Sequence, residues 1–293
     1  MTKPVDFSNL PKKQNQFLET WKVFSQNKAS VVGLIVAVIL LVTAFSAELI
    51  MPFEYAIRQD IPNRLQPPGG DFLLGTDNMG RDYAARMLHG ARVSLTMGFL
   101  PTLVSLFVAM ILGGTAALYG KWVDDIIMRI CDVFACIPGV LLALTFVAAL
   151  GPGLFNMLVA ITIASIPSRT RFVRSVVLNI VELDYIEAGR ACGTSDFRII
   201  TKHVLPNAMG PLILNAVAGI AGMIMLGAGL SFLGMGIEPP YPEWGVMLAE
   251  NQRFLRTHPF LMLVPGFAIL ISVLCFNLVG DGLRDALDPR LRR

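Results

Sequence analysis

The amino-acid sequence predicts an all-α, polytopic membrane protein, and three observations lead there. Hydrophobic residues make up 54% of the 293 and charged residues only 15%, against about 25% charged in an ordinary soluble domain. The apolar residues gather in runs long enough to cross the roughly 30 Å hydrocarbon layer, which takes about 20 helical residues. Most charges lie between the runs, beside Pro and Gly whose irregular backbone would go unsatisfied in lipid.

Residues 29–51 form the first predicted span. The polar segment of 28 residues before it is longer than a usual signal-peptide n-region, and its uninterrupted apolar part exceeds the usual h-region, so it reads as an uncleaved anchor. The stretch that follows, to residue 92, carries Pro67-Pro68-Gly69-Gly70 and several charges and is predicted to be an extramembrane loop. Residues 93–119 give a second span, in which Pro101 is tolerable because neighbouring helices re-satisfy a kinked backbone. Lys121, Asp124 and Asp125 end it.

From 130 to 167 the chain is nearly uncharged, but a single helix of that length would be about 57 Å long, far more than one crossing needs. Gly151-Pro152-Gly153 is therefore expected to divide it into a hairpin of two spans. The second arm continues past Pro167, with Arg169, Arg171 and Arg174 reaching for the headgroups. Arg129 and Asp132, one helical turn apart, are expected to form a mutual or interfacial pair. Residues 211–235 and 260–280 complete six spans. The expected organisation is an N-terminus and anchor helix (1–52), an extracytoplasmic loop (53–92), a core of five spans (93–282) with a cytoplasmic loop at 181–206, and a cytoplasmic tail (283–293).

With the N-terminus inside, the inner segments hold 17 of the 24 Lys and Arg, which is the orientation that the positive-inside rule favours. Both termini are expected in the cytoplasm. The net charge of +3, spread over short segments, argues against a nucleic-acid binder. Cys131, Cys136, Cys192 and Cys275 lack zinc or redox spacing, and His89, His203 and His258 lie in different segments without metal-ligand spacing, so no metal site is expected. No catalytic residues and no bound cofactor are expected either. The nearest approach to a phosphate-binding loop, Gly114 to Gly120-Lys121, has the wrong spacing and Trp122 where Ser or Thr should bind magnesium.

Residues 181–206 are the most informative. They are helix-forming, too polar to span and too regular for a connector, and they read as two short helices. Asp184 fits an N-cap with Glu187 reaching back, and Gly193 is placed to end the first helix. In the second, Phe197, Ile200 and Val204 give an apolar stripe opposite Arg198 and Lys202 before Pro206 ends it. By periodicity alone such a hairpin suits either a protein partner or the membrane surface.

The residues themselves decide between these. Glu187-Ala188-Gly189-x3-Gly193-x9-His203-Val204-Leu205-Pro206 closely resembles the EAA loop of ABC importer permeases, EAA-x3-G-x9-I-x-LP. Gly189 stands where Ala is usual and His203 where Ile is usual. The His before Val-Leu-Pro-Asn resembles the dipeptide, oligopeptide and nickel permeases. Leu74-Gly75-Thr76-Asp77-Asn78-Met79-Gly80-Arg81-Asp82 and Gly90-Ala91-Arg92-Val93-Ser94-Leu95 are similar to the GTDxxGRD and GARxSL signatures of that branch, in the subunit with an extra N-terminal anchor.

The resemblance implies a type I importer permease fold. It also implies a second homologous permease, two cytoplasmic ATPase subunits carrying ATP and magnesium, and an extracytoplasmic binding protein, together importing di- or oligopeptides, with nickel or another small peptide-like ligand as the alternative. Asp184, Glu187, Ala188, Gly193, Phe197 and Pro206 are then expected at the ATPase contact. Gly75, Thr76, Asp77, Gly80, Arg81 and Asp82 form either an ordered outer loop or the docking site for the binding protein. Asn215, Met223 and Ser231 are candidates to line the pathway, against helix bonding or packing as the alternative. An intramembrane enzyme would need paired catalytic groups that are not apparent, and a passive channel would not need the cytoplasmic loop.

Overall fold

The computed structural model describes residues 16–287. Among these, α1 (Gln16–Gln26) precedes the anchor helix α2 (Lys28–Phe45), which Asn27 caps by accepting from the amides of Ala29 and Ser30. α2 stops at Phe45, short of the expected 51, and gives way to the short helices α3 (Ala47–Ile50) and α4 (Phe53–Ile57). The outer loop ends at Asp82, whose carboxylate accepts from Ala85 N and caps α5 (Tyr83–Tyr119). Residues 83–92, expected in the loop, are thus the first turns of a 37-residue helix that Pro101 does not interrupt.

The expected third span is not straight. α6 (Lys121–Ala135) and α7 (Gly139–Leu150) meet at 84°. Pro138 supplies the physical reason, since it donates no helical hydrogen bond and disfavours helical geometry at Ile137. The hairpin at Gly151-Pro152-Gly153 is present, and α8 (Leu154–Val181) returns against α7 and runs through Pro167 without a break.

After α8 come α9 (Asp184–Ala191) and α10 (Asp196–Ile199), then a π turn over Ile200–Val204, and then α11 (Leu205–Leu230). From Asp196 to Met235 these run as one helical stretch of 40 residues, which leaves helical geometry only near its end, at Gly234 with φ +83°. α12 (Trp244–Asn251) and α13 (Phe260–Leu287) complete the described chain, and α13 extends into the segment expected to be tail. The rest of the tail, like residues 1–15, lies outside the described residues.

Four helices, α2, α5, the 40-residue helix and α13, are long and apolar enough to span a membrane, and α6 with α7 makes a fifth if the bent pair is one span. α8 has the length, at 28 residues, but three arginines in its second half. The six spans expected therefore resolve into unequal units around one all-α core.

Packing explains the arrangement. α5 runs along α8 and also meets α11, while α13 lies between α11 and the anchor α2. One apolar cluster joins α2, α5, α11, α12 and α13, with Leu95, Ile224, Trp244 and Phe276 buried at its centre. A second joins α5, α8 and the α9–α11 segment, and a third joins α5, α7, α8 and the end of α11.

Two expected charge assignments are corrected. Asp132 pairs with Arg171 at 2.7 Å, not with Arg129, and Asp124 pairs with Arg174, because α6 folds back beside α8 and presents its acids to that helix. Arg169 does not reach for the headgroups; it is buried between helices.

Candidate functional site

The segment expected at the ATPase contact is built on one anchored helix. Ile186 is only 1% exposed and belongs to the cluster of Val173, Val177, Ile199, Val204 and Leu212, a burial that stabilises by about 1.5–3 kcal/mol. Since Ile186 faces inward, Glu187 and Ala188 on the following turn face out. Leu183 and Tyr185 are also exposed, so α9 presents a mixed acidic and apolar surface.

The helix ends as expected at Gly193, which adopts φ +77°. Thr194 N donates to Gly189 O at 3.1 Å and Gly193 N to Arg190 O at 2.9 Å, the pair of bonds that closes a helix on a left-handed residue. A Cβ at Gly193 would touch nothing, so its need within this chain is conformational and not spatial.

Three local expectations differ from the structure. Asp184 is the first helical residue and not the cap; Leu183 occupies the cap position and no side chain caps α9. Pro206 ends no helix: it sits at the second position of α11, just after the π turn, whose wider hydrogen bonding removes the need for a proline N–H and relieves the ring's clash with the preceding turn. Phe197 is not part of the packed stripe. It is 77% exposed, whereas Ile199 and Val204, five residues apart, are buried, because the extra residue in the π turn shifts the inward face. Asn207 Nδ2 donates to the Tyr185 hydroxyl at 3.1 Å, joining α9 to the first turn of α11.

In the segment expected on the outer side, Thr76, Asp77, Arg81 and Asp82 are buried. Thr76 Oγ1 donates to Asn63 O at 2.6 Å and accepts from Gln66 N at 2.9 Å. Asp77 accepts from Met79 N and Arg81 N, and its other oxygen meets Arg81 Nε at 2.6 Å and Arg86 Nε at 3.3 Å. Glu250 on α12 accepts from Arg81 at 3.0 Å and from Arg86 at 2.8 Å. Gly80 has φ +75°, and a Cβ there would strike the carbonyl of Asp60; at Gly75, also at φ +75°, it would strike the carbonyl of Gln66. The signature thus ties the outer segment to α5 and α12. Beside it lies an open cavity of about 550 Å³ lined by Gln59, Asn78, Met79, Glu250, Gln252 and Arg253 among others.

Of the pathway candidates, Ser231 is buried, with Oγ 3.7 Å from Met157 Sδ, and Met223 is half-buried against the third apolar cluster. Asn215 accepts from Arg169 Nη1 at 3.2 Å. Sequence reasoning did not single out Arg86, Glu250 or Thr102. Glu243 is buried, caps α12 through Gly245 N and Val246 N, and accepts from Ser94 Oγ at 2.8 Å. Its partner Ser94 is 149 residues away in sequence. Among the described residues no three His, Cys, Asp or Glu side chains converge as a metal site.

Comparison with known proteins agrees with this architecture. Residues 105–293 match the family described as the binding-protein-dependent transport system inner membrane component, and residues 15–68 match the N-terminal TM domain of oligopeptide transport permease C. The chain is 43% identical over 281 residues to the dipeptide transport system permease protein DppC of Escherichia coli K12, covering 94% of this chain and 93% of that one. It is 42% identical over 274 residues to the protein of the same name from Alkalihalophilus pseudofirmus, covering 94% and 90%. It is 40% identical to the glutathione transport system permease protein GsiD of Pectobacterium atrosepticum, covering 94% and 91%. In fold it is similar to a chain of the MetNI methionine ABC transporter, with a TM-score of 0.54 and 21% identity over 69% of this chain and 96% of that one. With both the permease core and the N-terminal anchor matched, the chain belongs to the inner-membrane permeases of binding-protein-dependent ABC importers, in the dipeptide and oligopeptide branch.

Proposed function

We propose that this chain is one of two permease subunits in an ATP-driven importer of di- and oligopeptides. The observation that carries the reading is the form of the cytoplasmic segment: a short helix held by Ile186, exposing Glu187 and Ala188, and joined by the Gly193 turn to a 40-residue helix that crosses the bilayer. The dipeptide-transport names of its relatives supply the substrate class.

In this reading two ATPase subunits hold the ATP and magnesium, and this chain binds neither. Closure of the ATPase pair pushes α9. Ile186 passes the push to Ile199 and Val204 through their shared cluster, and Tyr185 passes it to Asn207. The 40-residue helix then moves as a rigid body against α5 and α8, alternating access with the second permease. A stiff helix transmits such a push because its backbone bonds are internal, whereas a flexible loop would absorb it.

The binding protein docks on the outer face. There the inward-turned Thr76, Asp77, Arg81 and Asp82, with Gly75 and Gly80 at the tight turns, hold a scaffold, and exposed neighbours such as Leu73 and Met79 offer the contact. Both termini lie in the cytoplasm, in agreement with the excess of Lys and Arg on that side.

Uptake of radiolabelled dialanine by cells carrying the complete transporter tests the reading. Deleting this chain should abolish uptake, and restoring it should return uptake only when the ATPase subunits are active. Uptake that survives the deletion, or that proceeds with inactive ATPases, contradicts it.

A further inference from the structure

Arg169 is the deepest of three arginines on α8, and it differs from the other two in having no acid. Arg171 and Arg174 pair with Asp132 and Asp124, but Arg169 has no ion pair among the described residues. Its side chain is buried at 6% exposure between α5, α8 and α11. Nη1 donates to Asn215 Oδ1 at 3.2 Å and Nη2 to Thr102 Oγ1 at 3.4 Å, both neutral acceptors. Nε has no partner. Thr102 and Asn215 each lie near the middle of their own long helix, far from either end. On α11, a Cβ at Gly219 would collide with the guanidinium, so that glycine leaves the space the charge occupies.

A full positive charge held inside the membrane by neutral groups alone is costly, and such residues mark sites where an anion passes or binds. We propose that Arg169, with Thr102 and Asn215 around it, is an anion site that takes the carboxylate of a peptide in transit. The open edge of the guanidinium fits this. Nε is free and Nη2 is held only by a long bond, and together they present the parallel N–H pair that a carboxylate accepts in bidentate form. The carboxylate is the anionic group every linear peptide has, so the site binds without reading side chains.

In the structure described here Arg169 is closed between α8 and α11, and the bond to Asn215 crosses that boundary. Separation of these helices during transport breaks the bond and exposes the guanidinium to the pathway. Asn215 and Thr102 then hold the charge when no peptide is present. This inference rests on the peptide-import reading.

The test uses the complete transporter purified in mild detergent without binding protein. Its thermal unfolding is followed with dialanine and, at equal ionic strength, with dialanine amide, which lacks the carboxylate. The wild type should be stabilised by dialanine and not by the amide. Arg169→Gln should lose that stabilisation and lower dialanine uptake at least tenfold while keeping its ATPase subunits and their hydrolysis, and Arg169→Lys should recover part of both. Stabilisation by the amide equal to that by dialanine, or no stabilisation by either, overturns the proposal; so does wild-type uptake by Arg169→Gln. The wild-type comparison decides the matter even if Arg169→Gln fails to assemble. Absence of dialanine uptake in the wild type would instead remove the importer reading.

Discussion

Asn207 and Tyr185 are joined by a hydrogen bond of 3.1 Å, and that bond connects the short helix α9 to the foot of a helix long and apolar enough to cross a membrane. Asn207 Nδ2 also donates to His203 O at 2.6 Å inside the π turn, so one amide holds both α9 and the irregular turn. π turns inside α-helices recur at functional positions because they add a residue without breaking the helix.

Tyr185→Phe removes this link and little else. The pair is exposed, so the cost in stability is about 0.5–1.5 kcal/mol or less. Assembly should be retained and the peptide imported per ATP hydrolysed should fall, which parallel uptake and hydrolysis rates in reconstituted vesicles would measure. An unchanged ratio would show that Ile186 alone carries the motion.

Ile186→Ala should act more strongly, since it leaves a cavity under α9. Truncating a buried isoleucine costs about 2–5 kcal/mol. The loss should be local: amide exchange should accelerate across residues 184–191 and stay slow in the middle of α5 and α13. Uniform acceleration would mean that α9 holds up the whole core.

Gly189→Ala, which restores the residue usual at that place in the EAA motif, should be harmless. The position is helical, a Cβ there meets nothing, and alanine is favoured over glycine within a helix by up to about 1 kcal/mol. Import should stay at the wild-type level with equal or slightly higher thermal stability. A loss of import with intact folding would show that a partner approaches α9 too closely for a methyl group.

On the outer side, Arg86→Met should destabilise by about 3–5 kcal/mol, because it leaves Asp77 and Glu250 with one arginine between them in a buried place. Adding Glu250→Gln should recover part of that loss, since it removes the carboxylate left short of a partner. Thermal unfolding of the single and double variants measures both effects. A double variant no more stable than the single one would mean that Arg86 acts by packing.

Much of this was legible in the sequence because spans announce themselves by length and apolarity. The hairpin at Gly151-Pro152-Gly153 and the cap at Gly193 follow from residues that only such turns require. The inward face of the α10–α11 segment was not legible. Its repeat was read at helical spacing, which put Phe197 inside, whereas the π turn spaces Ile199 and Val204 by five and turns Phe197 out. Continuing the second hairpin arm past Pro167 carries Arg169, Arg171 and Arg174 toward a membrane edge, which makes all three look like headgroup contacts. Only the fold reveals that α6 brings acids to two of them and none to the third. The outer charge cluster was half legible: Asp77 and Arg81 stand in a recognisable signature, but Glu250 joins them from 169 residues beyond Arg81.

The central claim, that α9 and its turn are the seat of the ATPase subunits, is tested most directly by co-purification from the native membrane in mild detergent. Wild type would be compared with Glu187→Ala, Phe197→Asp and Gly193→Val. The first two change exposed side chains; the third forces a branched residue into left-handed backbone, at about 1–2 kcal/mol. The account predicts that ATPase subunits accompany the wild type and are lost or sharply reduced in the variants, each of which inserts normally and keeps the second permease. Variants that retain their ATPases in full, or a wild type that brings none under conditions that preserve known complexes, would contradict it.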